Sequence, residues 1–326
     1  MRNIRTKIRD GSDKTETKSL NNRRNRGAGR RALTFACTAN AATPVIRIGY
    51  QRYSTLVTLK ESGALEKALA NRANVVWSEF VAGPQLLQAL VAGALDLGQT
   101  GDAPPVFASA ATPDALVYVG HEPPAPLAEA ILVPKDSSIQ TLGDLKGKRI
   151  ALNRASNVHW FLLQALHKAG LSFHDIKPAY LTPPSARSAF ESGQIDAWAI
   201  WDPYLSGALS SGSRILTTAQ NIVANREFFL ARREFSDNQP GLLREALHQI
   251  AQTDAWAQGH KPEVSHLLAT QTGLPYDTVY SAIKTRDFGY KPMEAGVIQE
   301  QQQIADGFLK EGLLTSHVEV SSAIWR

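Results

Sequence analysis

Cysteine is nearly missing from this chain: of 326 residues, only Cys37 carries a thiol. Residues 45–326 therefore hold no disulfide, no Cys-based metal site and no thiolate nucleophile. Long apolar runs are lacking as well, since no stretch approaches the ~20 consecutive apolar residues of a membrane-spanning helix. Histidines His167, His174, His248, His260, His266 and His317 stand in no metal-ligand spacing. No Walker-type phosphate loop and no GxSxG elbow occurs. No cofactor and no metal are expected, and no catalytic residue is assigned.

An excess of positive charge is also missing outside the N-terminus. The chain has a net charge of +5, but residues 1–44 hold eleven Lys/Arg against three Asp/Glu, or +8, which leaves −3 for residues 45–326. The basic pI of about 9.3 thus belongs to the leader, and no nucleic-acid partner is expected. Residues 1–42 read as an export signal or a disordered leader. Arg30-Arg31 precedes a short apolar stretch from Ala32 to Cys37, and Ala39-Asn40-Ala41 has the small residues of a cleavage site. A mature N-terminus near Ala42 is one expectation; a disordered tail or a misassigned start codon is the other.

What is present, from Val45 onward, is an alternation of short apolar runs and helical patterns, the mark of an α/β architecture. Strands are expected at Val45–Tyr50, Val75–Phe80, after Ala94–Gly98 and at Leu116–Gly120, with helices over Thr55–Ala70 and from Gly83-Pro84. Glu122-Pro123-Pro124-Ala125-Pro126 forms a stiff connector to a crossover strand at Ala130–Val133 and a second α/β run. The chain is expected to return near Asn225–Ala231 and then turn helical from Gly241 to Lys310, broken at Pro262, Pro275 and Pro292. The expected organisation is two α/β lobes joined by a two-strand hinge: residues 43–124 with 225–326 as the first lobe and 125–224 as the second. Ligands in such folds sit where strand ends and helix N-termini face the cleft.

Three strand-to-helix loops could face an anion there. The first carries Gln51 and Ser54, with Ser54 available as a helix cap; the second carries Thr100, Gly101 and Asp102 before Pro104-Pro105; the third carries Arg154, Ser156, Asn157, His159 and Trp160. Backbone N–H groups, hydroxyls, amides and helix dipoles are non-titrating hosts for a permanent anion, and Arg154 could add a guanidinium. Such loops also occur as plain structure in every α/β protein. Trp201, at a strand end in Ala197-Trp198-Ala199-Ile200-Trp201-Asp202-Pro203-Tyr204, suits an apolar wall, with Asp202 as a helix cap; Trp198 reads as core. His121, beside the connector, could reach a ligand's distal polar end.

Several strings have a family likeness. Glu79-Phe80-Val81-Ala82-Gly83-Pro84-Gln85, Gly98-Gln99-Thr100-Gly101-Asp102-Ala103-Pro104-Pro105, Tyr118-Val119-Gly120-His121-Glu122-Pro123-Pro124 and the Trp198–Tyr204 stretch resemble the aliphatic sulfonate-binding proteins of ABC transporters. The resemblance implies a type II periplasmic binding fold that captures alkanesulfonates for sulfur acquisition. It further implies a monomer that hands its ligand to a membrane permease with its ATPase, without catalysis. It implies that the Asn153–His159 loop grips the sulfonate, with the head group at Ser156, Asn157 and the backbone around Gly101-Asp102. Many members carry a basic residue and a serine run where this chain has Asn153-Arg154-Ala155-Ser156-Asn157, a departure that bears on substrate preference. Another small anion such as taurine or nitrate, or a sensor role, is the alternative. Sulfinate desulfinases resemble the same fold but work through a cysteine, which residues 45–326 do not contain.

Overall fold

The computed structural model of the protein describes residues 43–326, so the expectations for the leader lie outside the described residues. Among the described residues, no helix is long and apolar enough to cross a membrane.

Ten strands form two mixed five-stranded sheets. The first contains β1 (Val45–Tyr50), β2 (Asn74–Glu79), β3 (Leu97–Gly101), β4 (Leu116–His121) and β10 (Glu227–Arg232), in the order β2-β1-β3-β10-β4. The second contains β5 (Glu129–Val133), β6 (Arg149–Leu152), β7 (Lys177–Tyr180), β8 (Ala197–Trp201) and β9 (Arg214–Thr218), in the order β7-β6-β8-β5-β9. Each sheet has one antiparallel strand in the fourth position: β10 between β3 and β4, and β5 between β8 and β9. Those two strands are the ones that enter after a crossing between sheets.

The crossings run side by side. Ala125 N–H bonds the carbonyl of Asn225 at 3.0 Å, and Glu122 N–H bonds that of Glu227 at 2.9 Å. Fully buried Ile46, Ile48 and Leu97 pack one face of the first sheet, while Leu86, Leu90 and Phe228 pack the other. The second sheet is covered in the same way by Ile150, Leu152 and Phe161 on one face and by Trp198 and Phe190 on the other. Burial on both faces explains why β5 reads as a continuous apolar run from Ala130 to Val133, while β3 is equally buried but carries Gln99 and Thr100.

The helix expected over Thr55–Ala70 is two helices, α1 (Thr55–Ser62) and α2 (Ala64–Leu69). Gly63 sits between them at φ 62° with its N–H on the Lys60 carbonyl, a left-handed stop that glycine adopts without steric cost. Helices α3 (Gly83–Val91), α4 (Ala103–Ala111), α5 (Asn157–Lys168), α6 (Pro183–Glu191), α7 (Tyr204–Ser210) and α8 (Arg233–Asn238) follow the strands. The C-terminal third is helical, with α9 (Pro240–Gly259), α10 (Lys261–Thr272), α11 (Tyr276–Ile283) and α12 (Ala295–Lys310). Pro240 and Pro262 lie in first turns, where the missing N–H costs nothing, and Pro275 directly precedes α11.

Candidate functional site

The C-terminal ends of β1 and β8, in different sheets, meet around one small polar cavity of about 50 Å³. The first sheet's side supplies Gln51, Tyr53 and Ser54 from the β1–α1 loop, with Glu227 from β10 and Arg286 after α11. The second sheet's side supplies Asn157, the first residue of α5, and Trp201 and Asp202 at the end of β8. Asn225, on the returning connector, completes the lining. Two helix N-termini, those of α1 and α5, therefore begin at the same cavity, and both place partial positive charge there.

Ser54 holds the cap position of α1, but its side chain makes no capping bond; it is 6% exposed and its Oγ has no partner. A buried hydroxyl without a partner is an unmet hydrogen-bonding demand facing the cavity. Gln51 Nε2 donates to the Gln99 carbonyl at 3.3 Å. Asn157 Nδ2 donates to Asn225 Oδ1 at 3.1 Å, and Asn225 Nδ2 donates to the Ala125 carbonyl at 2.8 Å. That chain of bonds ties α5 to both crossings, with Asn225 in the left-handed region at φ 49°. Asn225→Gly keeps that backbone conformation and removes both bonds. Calorimetry should find ligand affinity lowered several-fold, consistent with about 0.5–1.5 kcal/mol per hydrogen bond, and unchanged affinity would refute the tie.

Charge in the cavity is mostly negative. Arg286, 8% exposed, is held by Glu122, to which its Nη2 donates, and by the Tyr53 carbonyl, 2.9 Å from Nη1. Glu122 also accepts from Gln99 Nε2 at 2.7 Å. Asp202 Oδ1 accepts from the Ser206 N–H at 3.0 Å, capping α7 from two residues before it, as Pro203 occupies the formal cap position. Burial pushes the Asp202 carboxyl up to about 6 and the Glu227 carboxyl up to about 8, the latter raised further by Glu122 and Asp102.

A second space of about 260 Å³ shares Gln51, Tyr53, Trp201 and Asp202 with the polar cavity. Phe80, Val81, Pro184 and Leu274 give it apolar walls. Arg52, Glu79 and Arg187 line it as well, so Trp201 stands between the small chamber and a larger vestibule of mixed apolar and charged walls.

Other expected site residues lie elsewhere. Asp102 does not cap α4 through its side chain; it lines a separate cavity of about 410 Å³ with Trp160, Ala224 and Arg226. Alternating connector residues face the two spaces: Asn225 and Glu227 one, Ala224 and Arg226 the other. Thr100 is fully buried against Gly83, and Gly101 gives the start of α5 room, since an added Cβ would lie 3.0 Å from Asn157 Cβ. Ser156 is buried and its Oγ donates to the Asn153 carbonyl at 2.7 Å, closing the turn before α5 rather than lining the cavity. Arg154 points to solvent, its guanidinium 5.6 Å from the Tyr180 ring. His121 is buried with Nδ1 2.9 Å from the Glu122 carbonyl oxygen. His159 is fully enclosed by Phe107, Phe173, Tyr180 and Phe308, and burial lowers it to about 4, so the ring is neutral near pH 7. It packs the joint between the sheets. Tyr53, Asn225, Glu227 and Arg286 were not singled out in the sequence, and only an aligned three-dimensional frame brings them together.

Residues 39–271 match the model of the NMT1-like family. The chain belongs to this family. Among curated NMT1-like relatives, the aliphatic sulfonates-binding protein of Escherichia coli (strain K12) is 42% identical over 295 residues, covering 90% of this chain and 92% of its own. The corresponding protein of Bacillus subtilis (strain 168) is 32% identical, with 90% and 91% covered. The solved alkanesulfonate-binding protein from Xanthomonas axonopodis pv. citri bound to MOPS superposes with a TM-score of 0.82 at 42% identity, covering 88% of this chain and 100% of that one. The expected two-lobed periplasmic binding fold is therefore the fold of this NMT1-like chain.

Proposed function

We propose that this chain is the substrate-binding component of an ABC importer, and that it captures aliphatic sulfonates in the periplasm for delivery to a permease and its ATPase. The carrying observation is the chamber between two helix N-termini, with the unpartnered Ser54 hydroxyl, beside a larger vestibule that shares Trp201 and has apolar walls at Phe80, Val81 and Pro184. A sulfonate head is a fixed monoanion that only accepts hydrogen bonds, so hydroxyl, amide and helix-terminus donors match it. The alkyl part matches the Trp201, Phe80 and Pro184 walls. The relatives' names support the same ligand class.

Calorimetric titration of the full chain with alkanesulfonates of increasing chain length, taurine, sulfate and nitrate tests the reading, in buffers that are not themselves sulfonates. Alkanesulfonates should bind with Kd near micromolar, about −8 kcal/mol, and tighter than the inorganic anions. A preference for nitrate or sulfate would overturn the substrate class, and turnover of a sulfonate would overturn the binding role.

A further inference from the structure

The cavity that fits an anion is lined by carboxyls. Asp202 and Glu227 both face it, and Arg286 is the one cation in the lining. That arginine is already engaged by Glu122 and the Tyr53 carbonyl. With all four groups ionised the site carries two excess negative charges before any ligand arrives, and a sulfonate would add a third in a low-dielectric setting. The two helix N-termini offset only part of this, each contributing roughly half a charge.

The two lining carboxyls differ in their bonding. Asp202 Oδ1 already accepts from Ser206, an arrangement that suits its ionised form. Glu227 Oε2 is buried with no partner at all, so its ionised form would leave a charge unsatisfied. The groups facing Glu227 reinforce this. Glu122 lies on the adjoining end of β4, and its N–H bonds the Glu227 carbonyl; Asp102 follows β3, whose Gly101 pairs with Glu227. Glu129 opens β5 with neither carboxyl oxygen bonded. His121 is neutral-favouring by burial, and Arg226, next in the chain, is turned to the other cavity and paired with Glu300 at 2.8 Å. Only Arg286 opposes these carboxyls from within the cavity.

Resting on the sulfonate-binding reading, we infer that sulfonate binding requires a proton on Glu227, that this proton is taken up with the ligand wherever the free carboxyl is ionised, and that the carboxyl O–H donates to the anion. One O–H bond forms on the carboxylate, the proton comes from solvent or buffer, and the sulfonate neither gains nor loses one. Protonation turns Glu227 from a repelling acceptor into a donor, so the charge brought in by the ligand is matched by the proton. Burial already raises the free carboxyl to about 8. The sign follows by linkage: the bound state holds the proton more tightly than the free state, so affinity is flat below that range and falls as pH rises through and beyond it.

The test is titration of the full chain with hexane-1-sulfonate across a pH series from 6 to 9, with heats at the alkaline end measured in Tris and in borate, whose ionisation heats differ. The expected result is about one proton taken up per sulfonate near pH 9, and affinity falling toward tenfold per pH unit above about 8. Glu227→Gln, which cannot titrate, should lose both the proton uptake and the pH dependence of whatever affinity it retains. If that variant does not fold, infrared difference spectra of the native chain at pH 9 supply a second readout, and a protonated-carboxyl band should grow on adding the sulfonate. Normal binding with no proton uptake and a flat pH profile would overturn the inference while leaving the sulfonate reading standing. Uptake that persists in Glu227→Gln would remove Glu227 from it. Absence of binding to any alkanesulfonate at any pH would overturn the sulfonate reading, and the inference with it.

Discussion

Arg286→Met should destabilise the protein by about 3–5 kcal/mol, among the largest effects of any single substitution near the cavity. Arg286 is 8% exposed and Glu122 is 2% exposed, and the pair joins the segment after α11 to the end of β4. The remaining Glu122 would keep its bond from Gln99 Nε2 but lose its counter-charge in a buried place. The Tyr53 carbonyl would lose its donor as well, loosening the β1–α1 loop that carries Ser54. Chemical denaturation of the single variant and of Arg286→Met/Glu122→Gln separates the causes. The double variant should recover a large part of the loss, because a neutral amide needs no counter-charge. A single variant within about 1 kcal/mol of the native chain would show that the pair does not hold the two segments together.

Gly307→Ala should weaken sulfonate binding by about tenfold to a hundredfold, the equivalent of 1–3 kcal/mol of overpacking. Gly307 lies on α12, against the first sheet's core; Trp160 lies on α5, whose Phe161 and Leu162 belong to the second core while the Trp160 ring packs against the first. A Cβ at Gly307 would stand 2.4 and 2.6 Å from the Trp160 ring, which is itself packed on Phe308 at 5.5 Å between centroids. The ring is packed on Phe308 and also borders the Asp102 cavity, and the inserted methyl meets its far edge as a wedge between α5 and α12. The cavity lining is divided between the same two sides, with Ser54 on one and Asn157 on the other, and separating them pulls the donors apart. The contact lies at the edge of the first core, where Trp160 is half-buried, so thermal stability should change less than affinity. Adding Trp160→Leu to Gly307→Ala should restore binding in calorimetry, and unaltered affinity in Gly307→Ala alone would contradict the wedge.

Much of the architecture was legible because strand runs such as Val45–Tyr50 and β5 carry their burial pattern in the sequence. The connector prolines at positions 123, 124 and 126 also marked the first crossing. Half of the cavity was legible for the same local reason: Gln51, Ser54, Asn157, Trp201 and Asp202 each lie where a strand ends and a helix begins. The other half depends on distance along the chain. Arg286 meets Glu122 across 164 residues, and Asn157 meets Asn225 across 68, pairings that no spacing rule anticipates. His159 misleads for a related reason. A histidine in a first helical turn beside Ser and Asn reads as a ligand contact, and only the convergence of Phe107 and Phe308 from the other sheet's helices buries it. The stop at Gly63 was missed because Leu56, Leu59, Leu65 and Leu69 keep nearly helical spacing across it, and all four are fully buried.

A crystal structure of the full chain grown with hexane-1-sulfonate is the decisive measurement. The sulfur atom should lie between Ser54 and Asn157, with sulfonate oxygens in hydrogen-bond range of both side chains and the carbon chain running past Trp201 toward Phe80. Density for the head group in the Asp102–Trp160 cavity, or on the exposed Arg154, would contradict that placement.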